Sequence, residues 1–460
     1  VVEATIVRLG ERFRSGDLSV VEGVEFFLGR IRDRDQSLHA WVEIDEASVR
    51  EHAEQLGIEL RGGRDRGPLH GIAAGVKDIM DVRGLRTRAG FDGWAERDPA
   101  QGDAAIVRKL REAGAVILGK TATTCFAWVD PARTVNPWDA SRTPGGSSSG
   151  SAVAVAAGMC PVAFGSQTGG SIVRPAAYCG VVGFKPSHGR LPLEGVLPLA
   201  PRLDHAGYMT GTVSDAIAVW EGMMGEGVLS AEGGAVLDMI EVVDPLIDQT
   251  QAVVRAALQR VIDKLGDRSR NRRSTGQVEE GCGEVDGKES CRCEPRMFRT
   301  VVGDGGLEEW NRWHRTIMAY EAAATHRELF ARQGELYPPR IRSLVEEGMR
   351  IRDMEYERAL GVQERMRDPL EGWGSPDCVL VMPATLDVAP GRETTGSPAW
   401  NSPWSFTGQP AITMPMGRSR EGLPIGIQLV GRRGQDRELL RHAAWVESWI
   451  GGLAETVVAG

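Results

Sequence analysis

Two glycine-rich loops hold the residues best suited to chemistry. The first, Pro144-Gly145-Gly146-Ser147-Ser148-Ser149-Gly150-Ser151, has the composition of a flexible linker. Its flank argues otherwise, because it runs straight into Ala152-Val153-Ala154-Val155-Ala156-Ala157-Gly158, an apolar stretch that reads as a helix wanted only by a packed core. A loop held in this way ends at a helix N-terminus, where backbone N–H groups lack intrahelical acceptors and, with the hydroxyls, converge on one point. The second loop, Gly165-Ser166-Gln167-Thr168-Gly169-Gly170-Ser171, follows the strand-like Val162-Ala163-Phe164. Consecutive N–H groups around paired glycines can form an anion-binding nest, which is what an oxyanion hole requires, and Ser171 at its end is placed to be a nucleophile. Phosphate binding is the competing use, but neither loop has the Gly-x-x-x-x-Gly-Lys-Ser/Thr order.

A serine nucleophile needs a base. None of the eight histidines (His39, His52, His70, His188, His205, His314, His326 and His442) sits in a Gly-x-Ser-x-Gly type of motif with an identifiable partner. Lys77 is the better candidate. It ends the apolar run Ile72-Ala73-Ala74-Gly75-Val76, and burial there disfavours the ammonium, drawing a reference pKa of ~10.4 toward the 7–8 a base needs. The alternative is a structural lysine paired with a carboxylate such as Asp78.

The elements that must position these groups are also readable. Residues 1–65 read as helices, with a capping box at Ser19-Val20-Val21-Glu22 and Val21, Val24, Phe27, Leu28 and Ile31 at helical spacing. From Gly67 short apolar runs alternate with helices: Ile72–Val76 and Ala115–Leu118 as strands, Asp103–Ala113 as a helix between them. That alternation predicts an α/β chain with a largely buried sheet. Further on, Leu258, Val261, Ile262 and Leu265 mark a helix, and residues 267–296 then lose periodicity and read as an exposed or disordered insertion. Long helices are predicted over 306–333 and 340–366, and strands at Cys378–Met382 and Ile412–Met416, with C-terminal strands finishing the sheet and a closing helix carrying Leu439, Leu440, Ala443 and Val446.

Composition narrows the class. Glycine makes up 58 of 460 residues, about 13% against a usual ~7% with ordinary proline, so glycine here serves local backbone geometry. A net charge of −9 excludes a broadly basic nucleic-acid surface. The longest run free of polar side chains, Ala152–Gly165, covers 14 residues, short of the ~18 a membrane span needs. No basic stretch followed by an apolar core opens the sequence, so no secretory signal is expected. The seven cysteines, Cys125, Cys160, Cys179, Cys282, Cys291, Cys293 and Cys378, are odd in number and scattered, which fits reduced thiols and a cytoplasmic protein better than a disulfide framework. The Cys-x8-Cys-x-Cys spacing of Cys282, Cys291 and Cys293 does not match paired zinc-ligand spacing, and no metal is expected.

A series of ordered motifs resembles the amidase signature family over nearly the whole chain, most weakly over 225–375. They are Gly67-Pro68-Leu69-His70-Gly71 before Val76-Lys77-Asp78, then Gly119-Lys120-Thr121, Gly145-Gly146-Ser147-Ser148, Thr168-Gly169-Gly170-Ser171 and Gly183-Phe184-Lys185-Pro186, closed by Gly408-Gln409-Pro410-Ala411-Ile412 and Gly422-Leu423-Pro424-Ile425-Gly426-Ile427-Gln428-Leu429. The resemblance implies the family's α/β fold, a large mixed, twisted central sheet covered by helices on both faces. Residues 1–65 would be a helical segment packed on the core, and 66–460 the amidase signature domain with its irregular insertion at about 267–296. It further implies a Ser-cisSer-Lys triad: Ser171 as nucleophile, Ser147 as the bridging serine on a cis peptide after Gly146, and Lys77 as base, the serines 24 residues apart. Thr168, Gly169 and Gly170, with the Ser171 N–H, would hold the oxyanion, and no metal or organic cofactor is implied.

Three departures from the family pattern matter. Gln167 stands where an aspartate is usual and Val173 where an arginine is usual, with Arg174 one place later, so a neutral hydrogen-bonding arrangement is expected to support the nucleophile loop. Cys125 replaces the glutamate that normally follows the Gly-Lys-Thr motif, and residues 267–296 replace an ordered strand with charged low-complexity sequence. The expected activity is hydrolysis of a small or aryl/alkyl primary amide by a stand-alone amidase, with no nucleic acid or membrane partner and a homodimer as the assembly to test. The alternative is the glutaminase component of a tRNA-dependent amidotransferase, which needs an ammonia tunnel and a partner subunit. That glutaminase carries an acidic residue shortly before the Thr407-Gly408 region, where this sequence reads Ser397-Pro398-Ala399-Trp400-Asn401. A non-catalytic anion-binding protein is the third class. Trp310, Trp313, Trp400 and Trp404 would either shape an apolar acyl site or fill core.

Overall fold

The alternation of short apolar runs with helices closes into one mixed sheet in the computed structural model, which describes residues 4–228, 238–273, 296–301, 306–371, 378–454 and 458. Its strands are β1 (Trp41–Ile44), β2 (Ala73–Lys77), β3 (Val116–Thr121), β4 (Val162–Gln167), β5 (Val182–Lys185), β6 (His205–Thr210), β7 (Asp238–Val243), β8 (Arg296–Val301), β9 (Cys378–Pro383), β10 (Ala411–Arg418) and β11 (Pro424–Val430). They lie in the order β1-β3-β2-β4-β6-β5-β10-β11-β9-β7-β8. Parallel pairs (β2 with β3 and β4, β7 with β8 and β9) flank an antiparallel middle. The C-terminal strands therefore enter the centre of the sheet, and β8 forms the far edge, where the sequence predicts a sheet finished by C-terminal strands.

Every residue of β2, β3 and β4 is buried, as expected of strands covered on both faces. The capping box at Ser19 and Glu22 forms, and the helix Val20–Leu38 buries Val24, Phe27, Leu28 and Ile31. The N-terminal helical layer also contributes β1, which pairs antiparallel with β3 at the other edge. The helix Ser149–Ala156 is buried along nearly its whole length, and Gly150 explains how closely it packs: a Cβ there would lie 2.3 Å from the Ala40 carbonyl oxygen.

Two helical boundaries differ from the sequence reading. The helix predicted over 340–366 is two, Pro339–Gly348 and Asp353–Glu371. At Gly348 the chain approaches the helix Gly306–Gln333 so tightly that a Cβ would lie 1.8 Å from the Ala319 carbonyl oxygen, and it turns there. The helix beginning at Ala252 runs to Arg273, into the stretch read as irregular. Residues 274–295 of that stretch, with Cys282, Cys291 and Cys293, lie outside the described residues. Among the described residues no helix is long and apolar enough to cross a membrane.

Candidate active site

Lys77 ends β2 in a fully buried position, and its Nζ donates to Ser147 Oγ at 2.7 Å and to Ser166 Oγ at 2.9 Å. The parallel register sets Val76 opposite Phe164, so Ser166, two residues further along β4, comes level with the lysine head. Asp78 does not face Lys77; its carboxylate pairs with Lys120 at 3.0 Å and accepts the Arg88 N–H. Burial pulls the Lys77 ammonium from 10.5 to about 7, opposed by the charge of Asp204. Uncharged amine is therefore abundant near neutrality, the condition a general base requires.

Ser147 follows a cis peptide bond from Gly146. Arg174 holds this turn, donating through Nη2 to the Gly146 carbonyl at 2.7 Å and through Nη1 to the Gly396 carbonyl at 2.9 Å. Burial lowers the Arg174 guanidinium to about 10, leaving it charged at neutral pH. The Thr124 N–H reaches the Ser147 carbonyl at 3.2 Å, and Ser149 Oγ the Gly145 carbonyl at 3.0 Å.

The loop Thr168–Ser171 is fixed through its carbonyls. The Thr168 carbonyl contacts His314 Nε2 at 2.8 Å, Gly169 accepts from Ser405 Oγ at 2.9 Å, and Gly170 accepts from the Arg174 N–H at 2.9 Å. Among the described residues the N–H groups of Gly169, Gly170 and Ser171 have no protein acceptor. Peptides whose carbonyls are anchored into the protein and whose N–H groups are left open are the form of a preorganised oxyanion site. Gly170 cannot be replaced without movement, since a Cβ would lie 2.6 Å from Asn401 Oδ1. These N–H groups and Ser171 border a cavity of about 340 Å³, whose other walls include Trp128, Leu246 and Met318.

Gln167 supplies the neutral support expected from the sequence. Its Oε1 accepts the N–H groups of Ile172 (2.8 Å) and Val173 (3.0 Å) where the helix Val173–Cys179 begins, and its Nε2 donates to Ser405 Oγ at 3.1 Å. Thr168 Oγ1 donates to Asp204 Oδ1 at 2.5 Å, while Asp204 Oδ2 accepts the N–H groups of Leu199 and Ala200 at 2.9 and 3.0 Å. Burial still pushes this carboxylate up to about 6.

The structure thus brings Lys77 and Ser147 into direct contact and sets Ser171 on the cavity wall. Among the described residues the Ser171 hydroxyl has no hydrogen-bond partner, so Ser147 and Ser171 are not hydrogen-bonded to each other in this structure. Such contacts commonly tighten only when substrate binds. Sequence reasoning missed Ser166, Asp204, His314 and Ser405. Only Ser166 carried a signal: the two-residue period continuing from Val162 and Phe164 puts it on their face of the strand. Trp310, Trp400 and Trp404 are buried core, with Trp310 edge-on to Trp404 at 5.9 Å, and none borders the cavity. Cys125 opens a turn, Cys125–Ala127, and its thiol is pushed up by burial. Among the described residues no cluster of His, Cys, Asp or Glu is arranged to hold a metal ion.

The family model described as Amidase matches residues 22–230 and 379–440. A glutamyl-tRNA(Gln) amidotransferase subunit of Alkaliphilus metalliredigens (strain QYMF) is 28% identical over 492 residues, covering 98% of this chain and 97% of that protein. A crystal structure of an amidase superposes with a TM-score of 0.82 at 30% identity, covering 97% of this chain and 100% of that one. The native peptide amidase of Stenotrophomonas maltophilia gives a TM-score of 0.79 at 26% identity, covering 97% of both chains.

Proposed function

The chain belongs to the amidase family and is an amide-hydrolysing enzyme, and we propose that it cleaves small organic amides through an acyl-enzyme on Ser171, using Lys77 and Ser147 as its proton relay. The observation that carries this reading is a buried lysine whose side-chain partners are hydroxyls, Ser147 and Ser166, beside a loop with open N–H groups. Neutral Lys77 takes the proton of Ser147, and Ser147 takes that of Ser171 as Ser171 Oγ bonds to the amide carbon. The tetrahedral oxyanion sits against the N–H groups of Gly169, Gly170 and Ser171, with the Thr168 N–H completing the set. Each donor lowers the barrier by about 3 kcal/mol. The relay then returns the proton to the nitrogen, the C–N bond breaks and the amine departs. Water, deprotonated through the same relay, attacks the ester and releases the carboxylic acid and Ser171.

Gln167 and Arg174 are positioning residues here, one holding the start of the nucleophile helix and the other the Gly146 carbonyl. Fluorophosphonate treatment followed by peptide mass spectrometry tests the reading. The adduct is expected on Ser171, and Ser171→Ala is expected to lose turnover of every amide in a panel; an adduct elsewhere, or an active variant, overturns it.

A second reading, the glutaminase component of an amidotransferase, is favoured by the full-length likeness to the Alkaliphilus protein. Residues 397–401 offer no carboxylate for a glutamine amino group, and Glu308, which borders the cavity, is exposed. Glutamine turnover that appears only with added partner subunits would establish this second reading.

A further inference from the structure

We propose that the preferred substrates are N-substituted amides whose amine carries an apolar alkyl or aryl group, seated in a second cavity on the proton-relay side of the site. The proposal rests on the acyl-enzyme reading and adds the identity of the leaving group. The second cavity measures about 310 Å³ and is walled by Ile79, Leu193, Val196, Leu197 and Leu199, with Ser166, Thr168 and Asp204 as its polar part. Ala127, Thr168 and Leu199 border both cavities, so the two adjoin.

Direction follows from the proton path. Gly169, Gly170 and Ser171 border the first cavity and not the second, whereas Ser166, bonded to Lys77 Nζ at 2.9 Å, borders the second and not the first. The carbonyl oxygen must lie under the open N–H groups, and the leaving nitrogen must receive its proton from the Lys77–Ser147 side. A substrate spanning the two spaces puts its acyl group in the first and its amine substituent in the second.

The lining selects the chemistry of that substituent. The polar groups there are already engaged: Ser166 Oγ by Lys77, Thr168 Oγ1 by Asp204, and both Asp204 oxygens by Thr168 and the Leu199 and Ala200 N–H groups. A hydrocarbon loses nothing on entering, whereas a polar substituent gives up its water for little more than the Ser166 hydroxyl hydrogen and the remaining lone pairs of these groups. The wall is also built rather than loose. The Leu197 N–H reaches the Ile79 carbonyl at 2.8 Å, the Val196 N–H the Leu193 carbonyl at 3.0 Å, and Val196 bridges to Met80. Leu193, Val196 and Leu197 pack against the core yet are only half-buried, leaving apolar surface to line the cavity.

The experiment compares kcat/KM for three substrates sharing one acyl group: hexanamide, N-butylhexanamide and N-(2-hydroxyethyl)hexanamide. The N-butyl amide is expected to exceed each of the others by roughly tenfold or more, the scale on which apolar pockets discriminate. Leu197→Trp, which fills the cavity, is expected to shrink the ratio of N-butyl to primary amide at least tenfold. A ratio unchanged in Leu197→Trp, or a wild-type preference for the primary or hydroxyethyl amide, overturns the proposal. A second measurement needs no variant. Butylamine should intercept the acyl-enzyme, its nitrogen bonding to the acyl carbon as the Ser171 ester breaks, at concentrations at least tenfold below those needed for ethanolamine; equal capture contradicts it. Turnover of all three amides without an adduct on Ser171 would instead refute the acyl-enzyme reading, and the proposal with it.

Discussion

Lys77 and Lys120 sit on neighbouring parallel strands, Val76 opposite Lys120 in the register, and both are fully buried. Their surroundings differ in one respect that decides their chemistry. Lys120 has a carboxylate, Asp78 at 3.0 Å, as well as Thr87 Oγ1 at 2.9 Å. Desolvation pushes Lys120 down and Asp78 up, while each charge draws the other back toward ionisation. Lys77 has hydroxyl partners, and burial takes it to about 7. Burial beside a bonded counter-charge keeps an amine ionised, whereas burial without one favours the neutral form that a base needs. Lys185 adds a control. Burial brings it to about 7 against the pull of Asp436, yet its Nζ donates to the Gln409 and Pro186 carbonyls and it borders neither cavity. A depressed lysine locates a site only when a cavity and a nucleophile stand beside it.

Replacing each lysine by methionine separates the roles. Lys77→Met is expected to lower kcat/KM by ~10³-fold or more with little loss of stability, since it removes a group that is costly to charge. Lys120→Met strands Asp78 and is expected to cost roughly 3–5 kcal/mol in urea unfolding, while the folded fraction keeps its turnover within about tenfold. Equal loss of activity in both variants would erase the distinction.

The pH dependence sharpens it. In the proposed mechanism the neutral amine is the active form, so kcat/KM should rise with pH through about 7 and then level. Unfolded Lys77 keeps its proton to its ordinary 10.5, whereas folded Lys77 loses it near 7. Between those values the unfolded chain binds more protons, so this residue's contribution to stability grows as pH rises. Urea unfolding at pH 7 and pH 9 should show a steeper gain for the native enzyme than for Lys77→Met. A smaller effect is expected at Gln167. Gln167→Ala leaves the Ile172 and Val173 N–H groups unanswered and should cost about 1–2 kcal/mol, read from thermal unfolding. Smallest of all, Lys185→Met should leave the midpoint of the pH–rate profile where it is; a moved midpoint would mean the profile reports Lys185.

The candidate site was legible in the sequence where its residues lie close together along the chain. The loops around Ser147 and Ser171, the apolar run ending in Lys77 and the helix after Ser148 are each written in a few consecutive residues, and the substitution at Gln167 could be read as a neutral support. Contacts made by distant chain were not. His314 reaches the Thr168 carbonyl from 146 residues away and Ser405 the Gly169 carbonyl from 236, and neither pairing leaves a periodic trace. The same holds for the sheet. β2, β3 and β4 each open with a run of four residues free of polar side chains, whereas β7, Asp238–Val243, mixes charged with apolar residues, and its place between β9 and β8 is set by pairing alone. Gly348, which divides one predicted helix into two, acts through its approach to Ala319, a feature invisible without the partner helix.

The most direct measurement is the rate at which a fluorophosphonate modifies Ser171 as a function of pH, in the native enzyme and in Lys77→Met. The expected result is a rate that rises through about pH 7 in the native enzyme and falls by orders of magnitude in the variant. A rate indifferent to pH and to the substitution would contradict the role given to Lys77.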